Sequence, residues 1–433
     1  MKTIFLPLLC IFFIGCSHKI SPNKEVIHDL INIDQNVSVY LNNISPHYIG
    51  ESSSYEDSYF KPWRIQKIDL SLKDAMWAYR AFSSKNSYGE NLQPLEASFF
   101  EEIQKRSNFK AFATLNKDAI TLRMTNIRAF PTNKPLLMDP SKAGEGFPFD
   151  YLQNSIIAAN KPLLVSHYSR DKEWAFVEAS FAYGWVKVSD IAFIPSKYAK
   201  RYMQAQKEFI TKEGEAIYDQ KGNFLFRSRV GMLLPEIDEL ADAYKVLTIS
   251  NYKNNQAYYL ESMISKKIAH QGILEFNSKN IEHILNEVSN VKYGWGGMYG
   301  QRDCSSLLRD FYAPFGIWLP RNSSKQSQIG KVIDLQNLSE QEKLQKIKEF
   351  GIPFETLLYK RGHILLYVGT YGGKVIVFHN TWGVKTKENG VEGRFIIGRP
   401  IFSTLELGKD LQYYDKTASL LTHLQSMNIL TAK

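Results

Sequence analysis

The stretch Tyr293-Gly294-Trp295-Gly296-Gly297, followed by Asp303-Cys304-Ser305-Ser306, decides the fold prediction for this chain. The other two cysteines, Cys10 and Cys16, lie at the front end, so Cys304 is the single thiol of the body. A lone thiol cannot form an intrachain disulfide and is either an inert buried group or a reactive one. The glycine-rich run and the neighbouring acid favour a reactive thiol.

Cys304 is predicted to begin a helix. Asp303 is a favourable N-cap, and one apolar face repeats until Pro314 ends the helix; its members are Leu307, Leu308, Phe311 and Tyr312. The N–H groups and the dipole of a helix start favour a thiolate at Cys304. The backbone N–H of Cys304 is the expected oxyanion donor.

Two histidines downstream complete a possible hydrolase site. A cysteine hydrolase needs a thiol nucleophile, an imidazole base and a polar group that orients the imidazole. Cys304, His363 and His379 are the predicted set. The two histidines share a strand face only if the loop around Tyr371 has an odd length or a bulge corrects the register. An uncorrected two-residue turn would instead make Asn380 the orienting group.

These motifs, in this order, resemble the NlpC family of bacterial cell-wall cysteine peptidases. The resemblance implies a papain-like NlpC catalytic domain over residues 269–410, with no metal and no other cofactor. It implies hydrolysis of the bond between γ-D-glutamate and the diamino acid (diaminopimelate) of peptidoglycan stem peptides. It also implies substrate-binding roles for Tyr293, Asp303, Ser305 and Ser324. Ser306 stands where the family usually has glycine, which calls the local helix packing into question.

Ahead of this domain, short segments separated by Gly, Pro and Asp-Lys turns predict two small all-β barrels, over residues 113–197 and 198–268. The first resembles a bacterial SH3-like module, and the second, with segments such as Arg229-Val230-Gly231, is expected to be another. In the first barrel, Asp150, Tyr151 and Gln153 either border the cleft or belong to a surface loop.

The remaining segments are a polar tether and mixed N-terminal region over residues 17–112 and a C-terminal tail over residues 411–433. The N-terminal region resembles the segment ahead of the barrels in a multidomain lipoprotein branch of the family. The predicted fold class is therefore multidomain α+β.

Composition agrees with several globular domains. The 433 residues are 44% hydrophobic and carry a net charge of +9, with no run of five basic residues. Nucleic acid is therefore a weak candidate partner, and a monomer is expected. The remaining histidines lack metal-ligand spacing, and the glycine-rich stretches lack a phosphate-loop signature.

The first 16 residues predict a lipoprotein signal. An apolar stretch too short to span a bilayer leads to Phe13-Ile14-Gly15-Cys16, which resembles a lipobox with Cys16 as the lipidated residue. Ser17 favours, by resemblance, the outer membrane, with the protein facing the periplasm. The alternative is an ordinary secretory signal.

Two other function classes stay open at this stage. One is a catalytically silent lipoprotein that binds the cell wall. The other is an amidase or acyltransferase with the same three residues. Within the peptidase hypothesis, the first barrel is expected to narrow the cleft and to select stems with a free N-terminal L-alanine, through Asp150 and Tyr151.

Overall fold

A computed structural model describes residues 25–42, 44–251 and 255–431. The predicted leader with Cys10 and Cys16 lies outside the described residues. Within the described ranges, no helix is both long and apolar enough to cross a bilayer.

The N-terminal segment is a set of short helices that covers other domains. Its helices are Asp29–Asn32 (α1), Ser52–Tyr59 (α2), Lys61–Arg64 (α3), Leu72–Ala75 (α4), Trp77–Ala81 (α5) and Ala97–Ser107 (α6), with 3-10 turns at Val37–Tyr40 and Phe109–Ala111. Ile27 is fully buried in a cluster with Ile401, and Asp29 accepts hydrogen bonds from the N–H and hydroxyl of Thr404. From residue 25 onward the predicted tether is therefore packed on the C-terminal domain.

The first β-domain is a seven-stranded antiparallel sheet. Its strands are Lys117–Thr121 (β1), Thr125–Arg128 (β2), Gln153–Ile157 (β3), Pro162–Tyr168 (β4), Trp174–Ala179 (β5), Tyr183–Lys187 (β6) and Ile191–Phe193 (β7), in the order β3-β2-β6-β5-β4-β1-β7. Strand β5 is buried on both faces. Val177 packs into the domain's own core, whereas Trp174 and Phe176 pack against the N-terminal segment. The N-terminal helices thus cover a face of the sheet that would otherwise be exposed and apolar.

The second β-domain follows helix Ser196–Gln204 (α7). Its strands are Lys207–Ile210 (β8), Ala216–Tyr218 (β9), Phe224–Arg227 (β10), Leu233–Glu239 (β11), Ala243–Asn251 (β12), Ala257–Ser265 (β13) and Ala269–Gln271 (β14). Five form a sheet in the order β13-β12-β11-β8-β14, and β9 pairs with β10. Arg229-Val230-Gly231, predicted as a strand segment, is a turn between β10 and β11. The Arg229 side chain bonds Asp310 of the C-terminal domain, and a Cβ atom on Gly231 would lie 2.6 Å from Ala313, while the N–H of Gly231 donates to the carbonyl of Ile210 on β8 at 3.0 Å.

The C-terminal domain packs helices on a six-stranded antiparallel sheet. The helices are Ser278–Ser289 (α8), Cys304–Tyr312 (α9), Ser323–Gln326 (α10) and Glu340–Phe350 (α11). The strands are Lys331–Asp334 (β15), Thr356–Lys360 (β16), His363–Tyr371 (β17), Lys374–Glu388 (β18), Val391–Thr404 (β19) and Leu424–Ile429 (β20), in the order β15-β20-β16-β17-β18-β19. Leu307 and Phe311 of α9 pack with Ile364 and Leu366 of β17 in one buried cluster. The predicted helix at Cys304 is confirmed.

The end of the chain belongs to this sheet. Strand β20 lies between β15 and β16 and pairs with both. Residues 411–433 were expected to be a tail, but Leu424 and Met427 are buried in the sheet core. The C-terminal domain, which is the catalytic-type domain that contains Cys304, therefore extends to about residue 429 and not only to residue 410.

Candidate active site

Cys304 is the first residue of α9 and is 8% exposed. The Asp303 side chain accepts the N–H of Ser306 at 2.9 Å, and the Ser306 hydroxyl accepts the N–H of Asp303 at 2.9 Å. This reciprocal pair is a capping box, which satisfies two helix-end N–H groups. Ser306, at the position where the family resembled in sequence usually has glycine, thus holds the start of the helix in place.

A β-bulge brings the two histidines together. The hairpin turn has two residues, Gly372 and Gly373, whose φ angles of 55° and 76° suit a tight hairpin. On its own, this turn would place the histidines on opposite faces. The register shifts between Tyr367 and Gly369, which makes Val368 an extra residue on β17. This β-bulge restores a common face for His363 and His379.

The histidine rings are in direct contact. The Nε2 atom of His363 lies 2.8 Å from the Nδ1 atom of His379, and the Nε2 atom of His379 lies 3.1 Å from the Ser403 hydroxyl. Asn380, the alternative orienting residue, donates instead to the carbonyl of Arg302 at 2.8 Å. The structure therefore brings His363 together with His379 and not with Asn380.

Ser403 determines the tautomers of both rings. Its hydroxyl donates to the carbonyl of Thr404 at 2.9 Å, so it can only accept from His379 Nε2–H. His379 Nδ1 is then the acceptor for His363 Nε2–H. The Nδ1 atom of His363 is left with a lone pair, as a general base requires.

Burial controls the ionisation of the thiol. It raises the pKa of Cys304 to about 12, and the Asp303 carboxylate adds to the rise. The N–H groups of Ile364 and Ser305 and the charge of Arg321 act in the opposite direction but do not cancel it. The N–H of Ser305 at the helix start thus favours the thiolate, as expected, but the cost of removing a charged sulfur from water is larger.

Burial acts on the histidines in the opposite sense. It lowers the pKa of His363 to about 3, with a contribution from Lys360, and it holds the pKa of His379 well below its usual range. At neutral pH the free site consequently contains a neutral thiol and two neutral imidazoles.

Arg321 organises the charged end of the site. It donates to both carboxylate oxygens of Asp303, to the Ser305 hydroxyl at 2.9 Å and to the Ser155 hydroxyl of the first β-domain at 2.8 Å. Burial alone would raise the pKa of Asp303, but Arg321 holds it below its usual value. Sequence reasoning missed Arg321, although it stands in the Pro320-Arg321-Asn322 run beside Ser324.

The first β-domain docks on the glycine-rich run before the nucleophile. The Gln153 side chain donates to the carbonyl of Gly296 at 3.2 Å. A Cβ atom on Gly296 would lie 2.3 Å from the Gln153 carbonyl oxygen, and one on Gly297 would lie 2.7 Å from the Ile156 side chain. The φ angles of these glycines are 57° and 82°. Glycine is therefore needed at both positions, because a side chain would clash with the first β-domain and because the positive φ angles disfavour other residues.

A cleft of about 1090 Å³ runs between this domain and the start of α9. The residues predicted to border the site that lie in its lining are Tyr293, Asp303, Cys304, Ser305, Ser324, Tyr151 and Gln153. Burial keeps the pKa of Tyr293 well above 10, with Cys304 and Asp303 adding to the rise, so its hydroxyl keeps its proton. The Ser324 hydroxyl donates to Asn322 at 3.0 Å. The structure thus gathers most of the predicted residues along one surface.

Asp150 does not line this cleft. It is 4% exposed, and its carboxylate accepts from Arg128 and from the N–H groups of Leu136 and Leu152. Its backbone carbonyl accepts from the Trp295 indole at 3.1 Å. Asp150 therefore stabilises the first β-domain and its contact with the catalytic-type domain, and it is not free to bind a substrate ammonium.

Comparison with known proteins identifies the domains. Residues 290–394 match the NlpC/P60 family, and residues 5–112 match the N-terminal NLPC_P60 stabilising domain. Residues 135–187 match an SH3 domain of SH3b1 type, and residues 197–240 match one of SH3b2 type. A comparison with curated proteins gives no match.

Among solved structures, the fold is similar to that of an NlpC/P60 endopeptidase from Photobacterium damselae subsp. piscicida, with a TM-score of 0.81 and 24% identity over 93% of this chain and 98% of that one. An NlpC/P60 family protein from Bacillus cereus ATCC 10987 matches with a TM-score of 0.48 and 14% identity over 72% of this chain and 99% of that one. The resemblance recognised in the sequence is confirmed: the chain contains an NlpC/P60 family domain over residues 290–394, preceded by the N-terminal stabilising domain of that family and by two SH3-type domains.

Proposed function

We propose that this protein is a cysteine endopeptidase that hydrolyses the bond between γ-D-glutamate and diaminopimelate in peptidoglycan stem peptides. The observation that carries the proposal is the hydrogen-bonded series His363–His379–Ser403, which begins on β17, the strand that packs against the helix starting at Cys304. The family match supports a cell-wall peptidase, and the SH3-type domains support peptidoglycan as the substrate.

The hydrogen-bonded histidine series and the neutral resting forms of Cys304 and His363 support a general-base mechanism. Nδ1 of His363 accepts the thiol proton while the Cys304 sulfur attacks the γ-glutamyl carbonyl carbon. The resulting oxyanion is stabilised by the N–H of Cys304, which as a first-turn group has no intrahelical acceptor, and the protonated Tyr293 hydroxyl is a second candidate donor. His363 then gives the proton to the amide nitrogen, and the C–N bond breaks.

A thioester between Cys304 and the glutamyl group remains after diaminopimelate leaves. Water attacks the thioester carbon and gives its proton to Nδ1 of His363, and the thiol is re-formed as the C–S bond breaks. His379 stabilises the imidazolium form of His363 during both steps, because its Nδ1 accepts the Nε2–H of His363.

The cellular setting is part of the proposal. Lipidation of Cys16 would attach the protein to the outer membrane, where it faces the periplasm and the peptidoglycan layer. This placement follows from the leader sequence and agrees with a peptidoglycan substrate.

The test is mass analysis of products. The purified protein is incubated with the tripeptide L-Ala-γ-D-Glu-diaminopimelate and with digested peptidoglycan. The expected products of the tripeptide are L-Ala-D-Glu and free diaminopimelate, and Cys304→Ala should abolish them while its thermal unfolding stays close to wild type.

The other function classes give different results in the same assay. Full activity in Cys304→Ala would overturn the cysteine mechanism. No product from the wild-type protein, together with retained binding to peptidoglycan, would favour the silent binding protein. Release of intact stems from muramic acid would indicate an amidase.

A further inference from the structure

We propose that a halide-sized anion, chloride under physiological conditions, binds in a small cavity where both SH3-type domains meet the catalytic-type domain. The cavity has a volume of about 20 Å³. Lys161 of the first domain, Arg229 of the second and Arg309 of the catalytic-type domain all line it. Phe181 and Trp318 line both this cavity and the catalytic cleft, which makes the two spaces neighbours.

Two guanidinium groups reach this junction with unused donors. Arg229 donates from Nε to Asp310 at 3.0 Å and from Nη1 to the carbonyl of Gly300 at 2.9 Å. Its Nη2 has no acceptor within the described part of the chain, although the side chain is only 4% exposed. The Nη1 atom of Arg309 is also buried and has no acceptor among the described residues. Buried charged donors without partners are costly, so these groups indicate a missing acceptor.

The charges around the cavity do not balance. Asp310 pairs with Arg229, Arg302 and Arg309, and Glu213 accepts from Arg302 at 2.8 Å. Three guanidinium groups therefore share two carboxylates, and the amino group of Lys161 lies beside them.

Lys161 itself lacks a close partner of opposite charge. Its Nζ lies 3.9 Å from the centre of the Tyr59 ring, and its hydrogen bond to the carbonyl of Gly231 is long, at 3.5 Å. Burial, followed by the charges of Arg309 and Arg229, holds the pKa of Lys161 well below its usual range. A water molecule would supply an acceptor but no negative charge, whereas an anion supplies both.

The size of the space selects the anion. A volume of about 20 Å³ accommodates one small species and excludes a carboxylate-bearing peptide or a phosphate ester. Because each of the three domains contributes one cation, the anion would link all three. It would thereby stabilise the position of the first domain against the helix that begins at Cys304.

Thermal unfolding of the full chain tests this binding. Sodium chloride is titrated against sodium gluconate at constant ionic strength, and a saturable rise in Tm of about 2–5 °C is expected. Lys161→Met should abolish the rise. The matched control is Lys187→Met, because Lys187 is an exposed lysine over an aromatic ring of the same domain, 5.9 Å from the centre of Trp174; it should keep the rise.

Crystals soaked in bromide provide a second measurement on the wild-type chain. The expected result is an anomalous peak between Arg229 Nη2 and Arg309 Nη1. An ordered water there without anomalous signal would overturn the proposal, and so would equal responses of the wild type and Lys161→Met to chloride.

Discussion

The Nε2 atom of His363 lies 2.8 Å from the Nδ1 atom of His379, and a single β-bulge makes this contact possible. Beyond His379, the Ser403 hydroxyl accepts a hydrogen bond because its own proton is directed to the carbonyl of Thr404. Ser403 therefore fixes the orientation of each proton in the series, although it lies on a different strand from either histidine.

We predict that Ser403→Ala lowers kcat about fivefold, since a net hydrogen bond is worth about 1 kcal/mol. The loss should be in kcat rather than KM, because Ser403 orients the base and does not line the cleft. Steady-state kinetics with the tripeptide measures this split.

Two further variants distinguish orientation from general stability. Ser403→Thr keeps the hydroxyl and should restore most of the activity. Ser426→Ala removes a buried serine of the same sheet, whose partner in the strand register is Tyr359 rather than either histidine. This variant should leave kcat nearly unchanged. Equal losses in Ser403→Ala and Ser403→Thr would contradict the role assigned to the hydroxyl.

The neutral resting forms of Cys304 and His363 lead to a prediction on the pH dependence of activity. With the pKa of His363 lowered to about 3, the base stays unprotonated through the range in which an ordinary histidine would gain a proton. The value of kcat/KM should therefore stay level between about pH 5 and 8 and fall only in more acidic solution. A decrease centred near the ordinary histidine pKa would contradict the lowered value.

The rate of thiol alkylation tests the raised pKa of Cys304. Burial raises the pKa of Cys304 to about 12, so iodoacetamide should inactivate the free enzyme slowly at neutral pH and faster as the pH rises. EDTA should leave activity unchanged. Rapid alkylation at pH 7, together with ultraviolet absorbance of a thiolate, would show that the resting site is already ionised.

The sequence was sufficient for groups whose role depends on local pattern. The helix start at Cys304 and the hairpin with His363 and His379 follow from residue types and spacing, and the choice of these three residues as a set follows from the resemblance to the NlpC family. Ser403 and Arg321 could not be found in this way. Their roles depend on strand register and on a loop that meets the Asp303 cap from another part of the chain.

Contacts between distant parts of the chain also explain two predictions that were wrong, the C-terminal tail and the strand at Arg229. Strand β20 is short, and only its pairing with β15 and β16 distinguishes it from a tail. Arg229 has the appearance of a strand residue, yet its ion pair with Asp310, 81 positions later, holds it in a turn. Contacts between domains, which periodicity cannot show, decide both cases.

Asp150 provides a test of stability rather than specificity. Because its carboxylate forms a buried ion pair with Arg128 and accepts two backbone N–H groups, Asp150→Asn should lower the free energy of unfolding by about 3–5 kcal/mol. Urea denaturation measures this change. KM for the tripeptide should not change at temperatures where the variant is folded, and a selective rise in KM would restore Asp150 as a substrate-binding residue.

The proposed lipid anchor is tested at Cys16, outside the described residues. Cys16→Ser should release the protein from the membrane fraction, since a lipid chain on that residue would be lost. Membrane fractionation and the mass of the mature N-terminus measure the outcome. A variant that remains membrane-bound and is processed as before would exclude the lipobox.

The first SH3-type domain forms one wall of the catalytic cleft, and Glu178 is the acidic residue that this domain contributes to the lining. Glu178 is 7% exposed, and its carboxylate accepts the N–H of Asp69 at 2.8 Å and lies 3.5 Å from Lys61. Unlike Asp150, Glu178 lines the cleft, and its partner Lys61, whose side chain is 44% exposed, lines it too, so a substrate ammonium would have to displace Lys61 from Glu178.

We therefore predict that the enzyme prefers stems with a free N-terminal L-alanine over stems still linked to muramic acid. A charge-assisted contact is worth about 1.5–3 kcal/mol, or about ten- to a hundredfold in kcat/KM. Glu178→Gln keeps the shape of the side chain and should reduce the preference, and the ratio between the two substrates cancels any partial loss of folded protein. Equal turnover of the two substrates by the wild type would contradict the selection, and preference for the linked stem would make the enzyme a remodeller of intact wall.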